Sequence, residues 1–169
     1  MKLYTIGYEG ITSNQLIMEL TGNAVHLVID VRELPLSRKP GFSKTPLSRL
    51  LAIAGIGYLS IPALGCPREI RHEYKRTSDW GTYKTGFQVY LAGCGEALEG
   101  ISALARTRIV CLLCYEANPY RCHRSMVAQR LDSFDHERFQ IVHLVPTTGS
   151  EIVGLSQHPG AEVDRLPRQ

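Results

Sequence analysis

Short apolar runs alternate along this chain with stretches of helical spacing. The apolar runs occupy residues 2–6, 25–31, 55–61, 109–114 and 139–145, and helical spacing occupies residues 12–20, 46–54, 86–106 and 125–131. Parallel strands need crossover connections, which are usually helices packed on the faces of the sheet. The alternation therefore predicts an α/β fold, a single-domain three-layer sandwich whose mainly parallel sheet has about five strands in a Rossmann-like or flavodoxin-like arrangement.

Residues 1–145 are predicted to form this one domain. A chain of 169 residues can bury about 70% of its unfolded surface, so the core requires neither disulfides nor a metal. Residues 62–85 combine Pro, Gly and many charges with little apolar periodicity, which predicts a long basic excursion with a short helix over residues 69–76, suited to a lid or binding loop. Residues 146–169 are polar and rich in Gly and Pro, and are predicted to be a tail that wraps the surface or frays.

The sequence shows no secretory signal and no apolar run near the roughly 20 residues that span a bilayer. We therefore expect a cytoplasmic protein without a membrane partner. Its five cysteines are an odd number, and in a reducing compartment they are expected to be thiols, ligands or core residues rather than a disulfide framework. The sequence leaves both a monomer and a homodimer open.

Charge is unevenly distributed along the chain. Residues 32–84 hold ten basic residues against four acidic ones, whereas the whole chain has a formal charge of only +3. Such an excess favours an anionic partner, which could be a phosphorylated small molecule, a nucleotide or a nucleic acid. The alternative is a solvated basic surface without a partner.

Reactive and charged side chains follow several of the predicted strands. Gly7-Tyr8-Glu9-Gly10 follows the first strand, Asp30-Val31-Arg32 ends the second, and Cys114-Tyr115-Glu116 ends the fourth. The carboxyl ends of parallel strands meet at one edge of the sheet, where ligands bind in α/β proteins. We therefore expect one crevice there, with Tyr8, Asp30 and Arg32 among the residues that bind a substrate.

The fourth strand leads through a loop to a helix start at Cys122-His123-Arg124. Cys114 ends the strand and faces the same loop. Cys111 is predicted to be a core residue on the opposite face, because side chains alternate along a strand and the two cysteines are three residues apart. A helix N-terminus and neighbouring cations favour the thiolate form of Cys122.

Several motifs occur in the same order as in one known family. They are Thr5-Ile-Gly-Tyr-Glu-Gly10, Asp30-Val-Arg32, Ser37-Arg38 followed by Gly41-Phe-Ser-Lys44, and Leu113-Cys-Tyr-Glu116 with Cys122-His-Arg124. Over about residues 3–145 the chain resembles the family called domain of unknown function 488. The resemblance implies a compact α/β domain with proposed active-site cysteines and no established substrate.

The leading hypothesis is an enzyme that hydrolyses or transfers a group on an anionic, nucleotide-like or phosphorylated substrate. Cys114 or Cys122 is then the nucleophile, His123 donates or accepts a proton, and Arg124 holds the anion. Glu9 and Glu116 are the candidate general acids or bases. In the alternative interpretation one cysteine packs under the loop and Cys122 only caps the helix.

A second hypothesis uses the same side chains as metal ligands. Cys114, Cys122 and His123 supply three donors to a structural zinc ion, with Glu116, His72 or His143 as the fourth. Adjacent residues at a helix start point in different directions, so simultaneous coordination by Cys122 and His123 is expected to be awkward. Under the other hypotheses the chain requires no cofactor.

A third hypothesis is a non-enzymatic module that binds phosphate, a nucleotide or a nucleic acid. Glycine within residues 37–44 permits close backbone approach, and Arg and Lys donate to phosphate oxygens. The candidate contacts are Arg32, Arg38, Ser43, Lys44 and Arg124. The segment is not a Walker loop and no nucleic-acid fold signature accompanies it, so nucleic acid is the less supported ligand.

Overall fold

A computed structural model describes residues 1–134 and 138–146 and contains a five-stranded sheet in which every pair of neighbouring strands is parallel. The strands are β1 (Lys2–Gly7), β2 (Leu27–Asp30), β3 (Gly57–Ser60), β4 (Val110–Cys114) and β5 (Gln140–Leu144). Each lies within its predicted apolar run, except that β1 extends to Gly7. The predicted α/β sandwich with a parallel five-stranded sheet is therefore confirmed.

Six α-helices connect the strands within the described residues. They are α1 (Ser13–Gly22), α2 (Lys44–Ile53), α3 (Arg68–Thr77), α4 (Trp80–Ala92), α5 (Gly95–Ala105) and α6 (His123–Phe134). Helix α1 follows β1, α2 follows β2, α3 to α5 connect β3 to β4, and α6 connects β4 to β5.

The strand order, β3-β2-β4-β1-β5, explains why helices cover both faces. The chain moves from β1 through α1 to β2 and through α2 to the β3 edge, then returns in the opposite direction through α3 to α6. Right-handed crossovers made in opposite directions place their helices on opposite faces of a sheet. Consequently, Leu16 and Leu47 of α1 and α2 share one buried cluster with Ile6 of β1. Phe87 and Leu131 of α4 and α6 belong to the cluster on the other face.

Helix starts follow local hydrogen bonding. Thr12 begins α1 with a capping box, in which its Oγ1 accepts from the Gln15 N–H at 3.2 Å and Gln15 Oε1 accepts from the Thr12 N–H at 2.8 Å. Helix α2 begins at Lys44, two residues before the predicted start at Pro46. Ser43 precedes it without a capping bond, because its Oγ accepts from the Ser37 N–H at 3.0 Å and donates to the Ser37 carbonyl at 3.1 Å.

The predicted excursion over residues 62–85 is largely helical. A 3-10 turn at Pro62–Leu64 leads to α3, which contains the predicted short helix, and α4 begins at Trp80 rather than at residue 86. Helix α3 ends at Ser78 in the left-handed conformation (φ 56°), and Asp79 caps α4 by accepting from the Gly81 N–H at 2.8 Å. Helix α3 is rich in charged residues and has no fully buried residue, so its sequence shows little of the apolar periodicity that marks a helix.

No helix in residues 1–134 or 138–146 combines the length and apolarity needed to cross a bilayer. Residues 147–169, which make up nearly all of the predicted tail, lie outside the described residues. The cytoplasmic location and the oligomeric state stay predictions.

Candidate functional site

A cavity of about 620 Å³ opens at the carboxyl ends of β1, β2 and β4. The residues that line it are Tyr8, Gly10, Arg32, Glu33, Leu34, Leu36, Ser37, Arg38, Lys39, Cys66, Arg71, Lys75, Cys114, Tyr115, Glu116 and His123. Connections from the neighbouring strands β2 and β4 leave to opposite faces here, which is where open α/β sheets form ligand crevices. The predicted crevice is therefore present.

The loop after β4 packs directly on the end of β1. A Cβ atom on Gly7 would collide with the carbonyl oxygen of Glu116. The Tyr8 N–H donates to the Cys114 carbonyl at 3.2 Å, and the Glu9 N–H donates to the Tyr115 carbonyl at 2.8 Å. Only glycine permits this close approach, and the approach sets the position of Glu116.

Four side chains converge at the floor of the cavity, and we call Cys114, Glu116, Cys122 and His123 the donor cluster. Their ligand atoms all lie within 4.8 Å of one another. One Glu116 carboxylate oxygen is 2.9 Å from Cys114 Sγ and 3.1 Å from Cys122 Sγ, and His123 Nδ1 is 3.6 Å from Cys114 Sγ. The sequence named all four residues, and the fold brings them together.

Convergence of the adjacent Cys122 and His123 corrects the expectation that their coordination would be awkward. Cys122 is not yet helical, since its backbone is extended (φ −136°, ψ 141°) between a 3-10 turn at Pro119–Arg121 and the first residue of α6. An extended residue directs its side chain differently from the helical residue that follows. Both ligand atoms therefore reach the same point.

The His123 ring is held by the backbone of β2. Its Nε2 lies 2.8 Å from the carbonyl oxygen of Val31, which follows that strand. A carbonyl only accepts hydrogen bonds, so this partner assigns the proton to Nε2. In the neutral ring Nδ1 then carries the lone pair and lies 3.6 Å from Cys114 Sγ, while Nε2 lies 3.9 Å from the same sulfur.

Cys114, Cys122 and His123 are buried and Glu116 is half-buried, and burial is the largest influence on the ionisation of the cluster. Burial raises the pKa of the Cys114 thiol well above its ordinary value, and the neighbouring Cys122 and Glu116 add to this rise. Burial, followed by the charge of Cys122, also raises the pKa of Glu116.

Cys122 and His123 shift in opposite directions. Burial opposes ionisation of Cys122, but hydrogen bonds from Cys114 and His123 and the charges of His123 and Arg124 outweigh it and lower its pKa. Burial would lower the pKa of His123, but its contacts with Cys122 outweigh burial and raise that pKa. The donor set therefore favours a thiolate on Cys122.

Arg124 supports the loop and does not face the cavity. Its side chain is 0% exposed. Its guanidinium donates to Thr5 Oγ1 at 3.3 Å, to the Ala117 carbonyl at 3.0 Å and to the Glu116 carbonyl. These contacts give Arg124 the role of positioning the loop after β4, and they do not support its predicted contact with a substrate.

Arg32 lines the cavity as part of a buried ion pair. It donates to both carboxylate oxygens of Asp30, at 2.8 Å and 2.5 Å, and to Tyr8 Oη at 2.8 Å. Asp30 also accepts from Tyr58 Oη at 2.6 Å and is fully buried. Asp30 therefore orients Arg32, while Tyr8 and Arg32 reach the cavity wall.

The cavity wall carries more positive than negative charge. Five cations line it, namely Arg32, Arg38, Lys39, Arg71 and Lys75, against the two carboxylates of Glu33 and Glu116. Sequence analysis missed three of these cations as site residues, namely Lys39 and the two α3 residues Arg71 and Lys75. The spacing of four residues between Arg71 and Lys75 places them on one face of α3. The only signal was the basic excess, because their helix was predicted as part of an excursion.

Besides Asp30, Cys122 and Arg124, three further predicted site residues do not line the cavity. Glu9 is exposed, and its Oε2 accepts from the Ala117 N–H at 2.9 Å, so it also supports the β4 loop. Ser43 bonds the Ser37 backbone, and Lys44 is exposed at the start of α2. Their predicted roles in catalysis and substrate binding gain no support from these positions.

Two further predictions concern residues near the donor cluster, namely Cys111 and the candidates for a fourth ligand. Cys111 lies in the apolar cluster on the other face of the sheet from Cys114, as alternation along the strand predicted. Among the described residues the metal-capable cluster includes neither His72 nor His143. His143 Nδ1 lies instead 2.8 Å from Thr5 Oγ1. Glu116 is therefore the fourth donor.

Comparison with protein families shows a match to the model described as Domain of unknown function DUF488 over residues 13–131. The chain belongs to the DUF488 family. The matched segment contains the whole donor cluster together with Arg32, Arg71 and Arg124, so the site of this DUF488 protein lies inside the shared region. Neither the comparison with curated proteins nor that with solved structures produced a match.

Proposed function

We propose that this DUF488 chain is an enzyme that carries out hydrolysis or group transfer on an anionic substrate. One observation carries the proposal: the donor cluster forms the floor of a cavity whose wall holds five cations. Reactive sulfur, imidazole and carboxylate groups thus lie beside a site suited to negative charge. Strongly shifted ionisation in a crevice is typical of functional sites.

The size of the cavity supports a small-molecule substrate. Its volume of about 620 Å³ falls within the roughly 300–1,000 Å³ of typical ligand pockets. A phosphorylated metabolite or a nucleotide fits this range, whereas a nucleic-acid duplex needs an extended surface. Each shielded bond from Arg or Lys to a phosphate oxygen would contribute about 1.5–3 kcal/mol.

The proposed roles follow the positions of the side chains. Arg38 is exposed on the cavity wall and binds the anion, together with Lys39. Lys39 Nζ donates to the Tyr8 carbonyl at 3.1 Å, which holds the ammonium group near the cavity. Cys114, Glu116 and His123 line the cavity and act on the substrate, while Cys122 lies behind them.

A second candidate is a binding module without turnover, in which the donor cluster only stabilises the fold. Near-complete burial favours it, because Cys114 and Cys122 are each 2% exposed and His123 is 6% exposed. In that case the cations would still bind an anion, but no side chain of the cluster would react.

The first test is binding and turnover with a panel of inorganic phosphate, sugar phosphates and nucleotides. We expect one panel member to bind and to be converted, with Arg38→Ala weakening its binding about tenfold, which corresponds to ~1.4 kcal/mol. Arg49→Ala is the matched control, because Arg49 is an exposed cation of α2 outside the cavity. Equal losses in both variants would contradict an anion site in the cavity.

Substitution at the floor separates the enzyme from the binding module. Glu116→Gln keeps the shape of the side chain and removes its charge, so we expect it to abolish turnover while the panel member still binds. Binding without conversion by the wild-type protein across the panel would support the module instead.

A further inference from the structure

We propose that the donor cluster binds a zinc ion. A catalytic role of the ion rests on the proposed function, since the ion would lie at the reactive centre. Binding of the ion is a separate property, measurable without any substrate.

Distances within the donor cluster are close to those of a tetrahedral zinc site. Zinc lies about 2.3 Å from cysteine sulfur and about 2.0–2.2 Å from histidine nitrogen or carboxylate oxygen, which places neighbouring ligand atoms roughly 3.3–3.8 Å apart. Glu116 Oε2 lies 2.9 Å from Cys114 Sγ and 3.1 Å from Cys122 Sγ, His123 Nδ1 lies 3.6 Å from Cys114 Sγ, and all four ligand atoms are within 4.8 Å of one another. Outward movements of less than about 1 Å would admit the ion.

The surroundings of His123 match those of a metal-bound histidine. Such a histidine usually donates its second ring N–H to a carbonyl or carboxylate, which fixes the ring and its tautomer. Val31 supplies that carbonyl at 2.8 Å from Nε2. Nδ1, which then carries the lone pair, is therefore the nitrogen that would bind zinc.

The Glu116 ligand is held by the backbone around it. Arg124 donates to the carbonyls of Glu116 and Ala117, and Glu9 accepts from the Ala117 N–H. Two thiolates and one carboxylate around a divalent ion leave one negative charge. The buried Arg124 guanidinium, bonded to the same loop, offsets that charge.

The types of ligand atom select the metal. Two sulfurs, one imidazole nitrogen and one carboxylate oxygen suit zinc, whereas magnesium and calcium prefer oxygen ligands alone. Three of the four ligands line the cavity and Cys122 lies behind them. If a substrate displaced Glu116, the ion would keep three protein ligands and gain the open position that is characteristic of catalytic zinc sites.

The decisive measurement is the metal content of the full chain purified under reducing conditions without added metal or chelator. We expect close to one zinc per chain. Cys114→Ser and Cys122→Ser should each lower zinc content at least tenfold, whereas the controls Cys66→Ser and Cys94→Ser should retain it, since neither residue belongs to the cluster. Iron or copper in place of zinc, or unchanged zinc in both cluster variants, would overturn the assignment.

Wild-type protein provides a second measurement that does not depend on whether variants fold. After chelation and addition of cobalt, a tetrahedral site with thiolate ligands should give intense visible absorption and a sulfur-to-cobalt charge-transfer band. Cys114 and Cys122 should resist alkylation until the metal is removed. Metal-free protein in which these thiols alkylate at once, without a cobalt spectrum, would contradict the inference.

The zinc inference and the proposed function can fail separately. Stoichiometric zinc without turnover of any anion would leave the zinc site standing and favour the binding module. Turnover by metal-free protein that is insensitive to chelation would leave the enzyme standing and reject the zinc site.

Discussion

Buried charges near the cavity are satisfied by specific partners, and these partners carry energetic consequences. The bidentate pair between Arg32 and Asp30 lies almost wholly out of water. Breaking a buried pair is costly because the remaining charge has no partner. Removal of either member of the pair should therefore destabilise the chain and disturb the part of the cavity wall that Arg32 forms.

Asp30→Asn should lower the free energy of unfolding by about 3–5 kcal/mol, since it leaves the Arg32 guanidinium buried without its counter-ion. Urea denaturation measures this loss. Tyr58→Phe is the matched comparison, because it removes one hydrogen bond to the same carboxylate and should cost about 1 kcal/mol. Equal costs for the two variants would show that the ion pair is not the dominant interaction.

Gly7→Ala should destabilise the chain by about 1–3 kcal/mol, because the added methyl group collides with the Glu116 carbonyl and the loop has to shift. Thermal or urea unfolding measures the change. Gly22→Ala is the control, since nothing lies within 4 Å of the Cβ position in this helical glycine. A neutral Gly7→Ala would mean that the loop after β4 accommodates the methyl group freely.

Individual site residues were only partly predictable from the sequence. The donor cluster was predicted because the loop between β4 and α6 concentrates unusual side chains at a strand end. The burial of Arg124 was not, because its partners are backbone carbonyls of that loop, and backbone position is a product of the fold. The contact between Tyr58 and Asp30 was not predicted either, because only the fold brings the two side chains together.

Single helices depend on their ends as well as on their buried faces. The capping box satisfies two N–H groups at the start of α1, one at Thr12 and one at Gln15. This helix precedes β2 and packs Leu16 and Leu20 into the core. The cap therefore stabilises the first crossover connection of the sheet.

Thr12→Ala should cost about 1 kcal/mol of stability, the typical loss for an N-cap threonine. Chemical denaturation measures it, with Asn14→Ala at an exposed position of the same helix as the control. Asn14→Ala should change stability by less than about 0.5 kcal/mol. A cost for Asn14→Ala as large as that of Thr12→Ala would contradict the capping role.

Burial explains the prediction of some elements only, since β3 and β5, which are largely exposed or half-buried, were also predicted. Strands β2 and β4 are buried at every position, so their continuous apolar runs identified them. Helix α3 has no fully buried residue, and its pairing with α4 depends on contacts of Tyr74 with Trp80 and Tyr83. Aromatic side chains spaced across two helices give no periodic signal, so the start of α4 was missed, whereas α3 lies within one residue of its predicted bounds at each end.

At the scale of the whole molecule, the sheet links the donor cluster to the β5 edge. His143 of β5 pairs through Nδ1 with Thr5 of β1, and Thr5 also accepts from Arg124. Burial, followed by the charge of Arg124, lowers the pKa of His143. Protonation of this ring is therefore less favourable in the folded chain than in the unfolded one.

The contribution of His143 to the free energy of unfolding should fall as the pH is lowered from 7 to 5, whereas the raised pKa of His123 contributes in the opposite direction. The unfolded chain binds a proton at His143 near pH about 6.5, whereas the folded chain takes it up only at lower pH, so acid favours unfolding in this window. Urea unfolding of wild type and His143→Gln across the range isolates this contribution, because the stability of wild type relative to the variant should decrease as the pH falls. The same slope in wild type and variant would exclude His143 as a source.

The interior position of β1 in the sheet has a consequence for how this domain is delimited. Strand β1 pairs with β4 on one side and β5 on the other, yet the segment shared with the family begins at residue 13 and ends at residue 131. A polypeptide trimmed to that segment would lose both strands and leave the apolar β4 as an exposed edge. Unpaired apolar edges recruit other chains into aggregates. The segment that folds cooperatively is therefore longer than the segment that matches the family, because it includes β1 and β5.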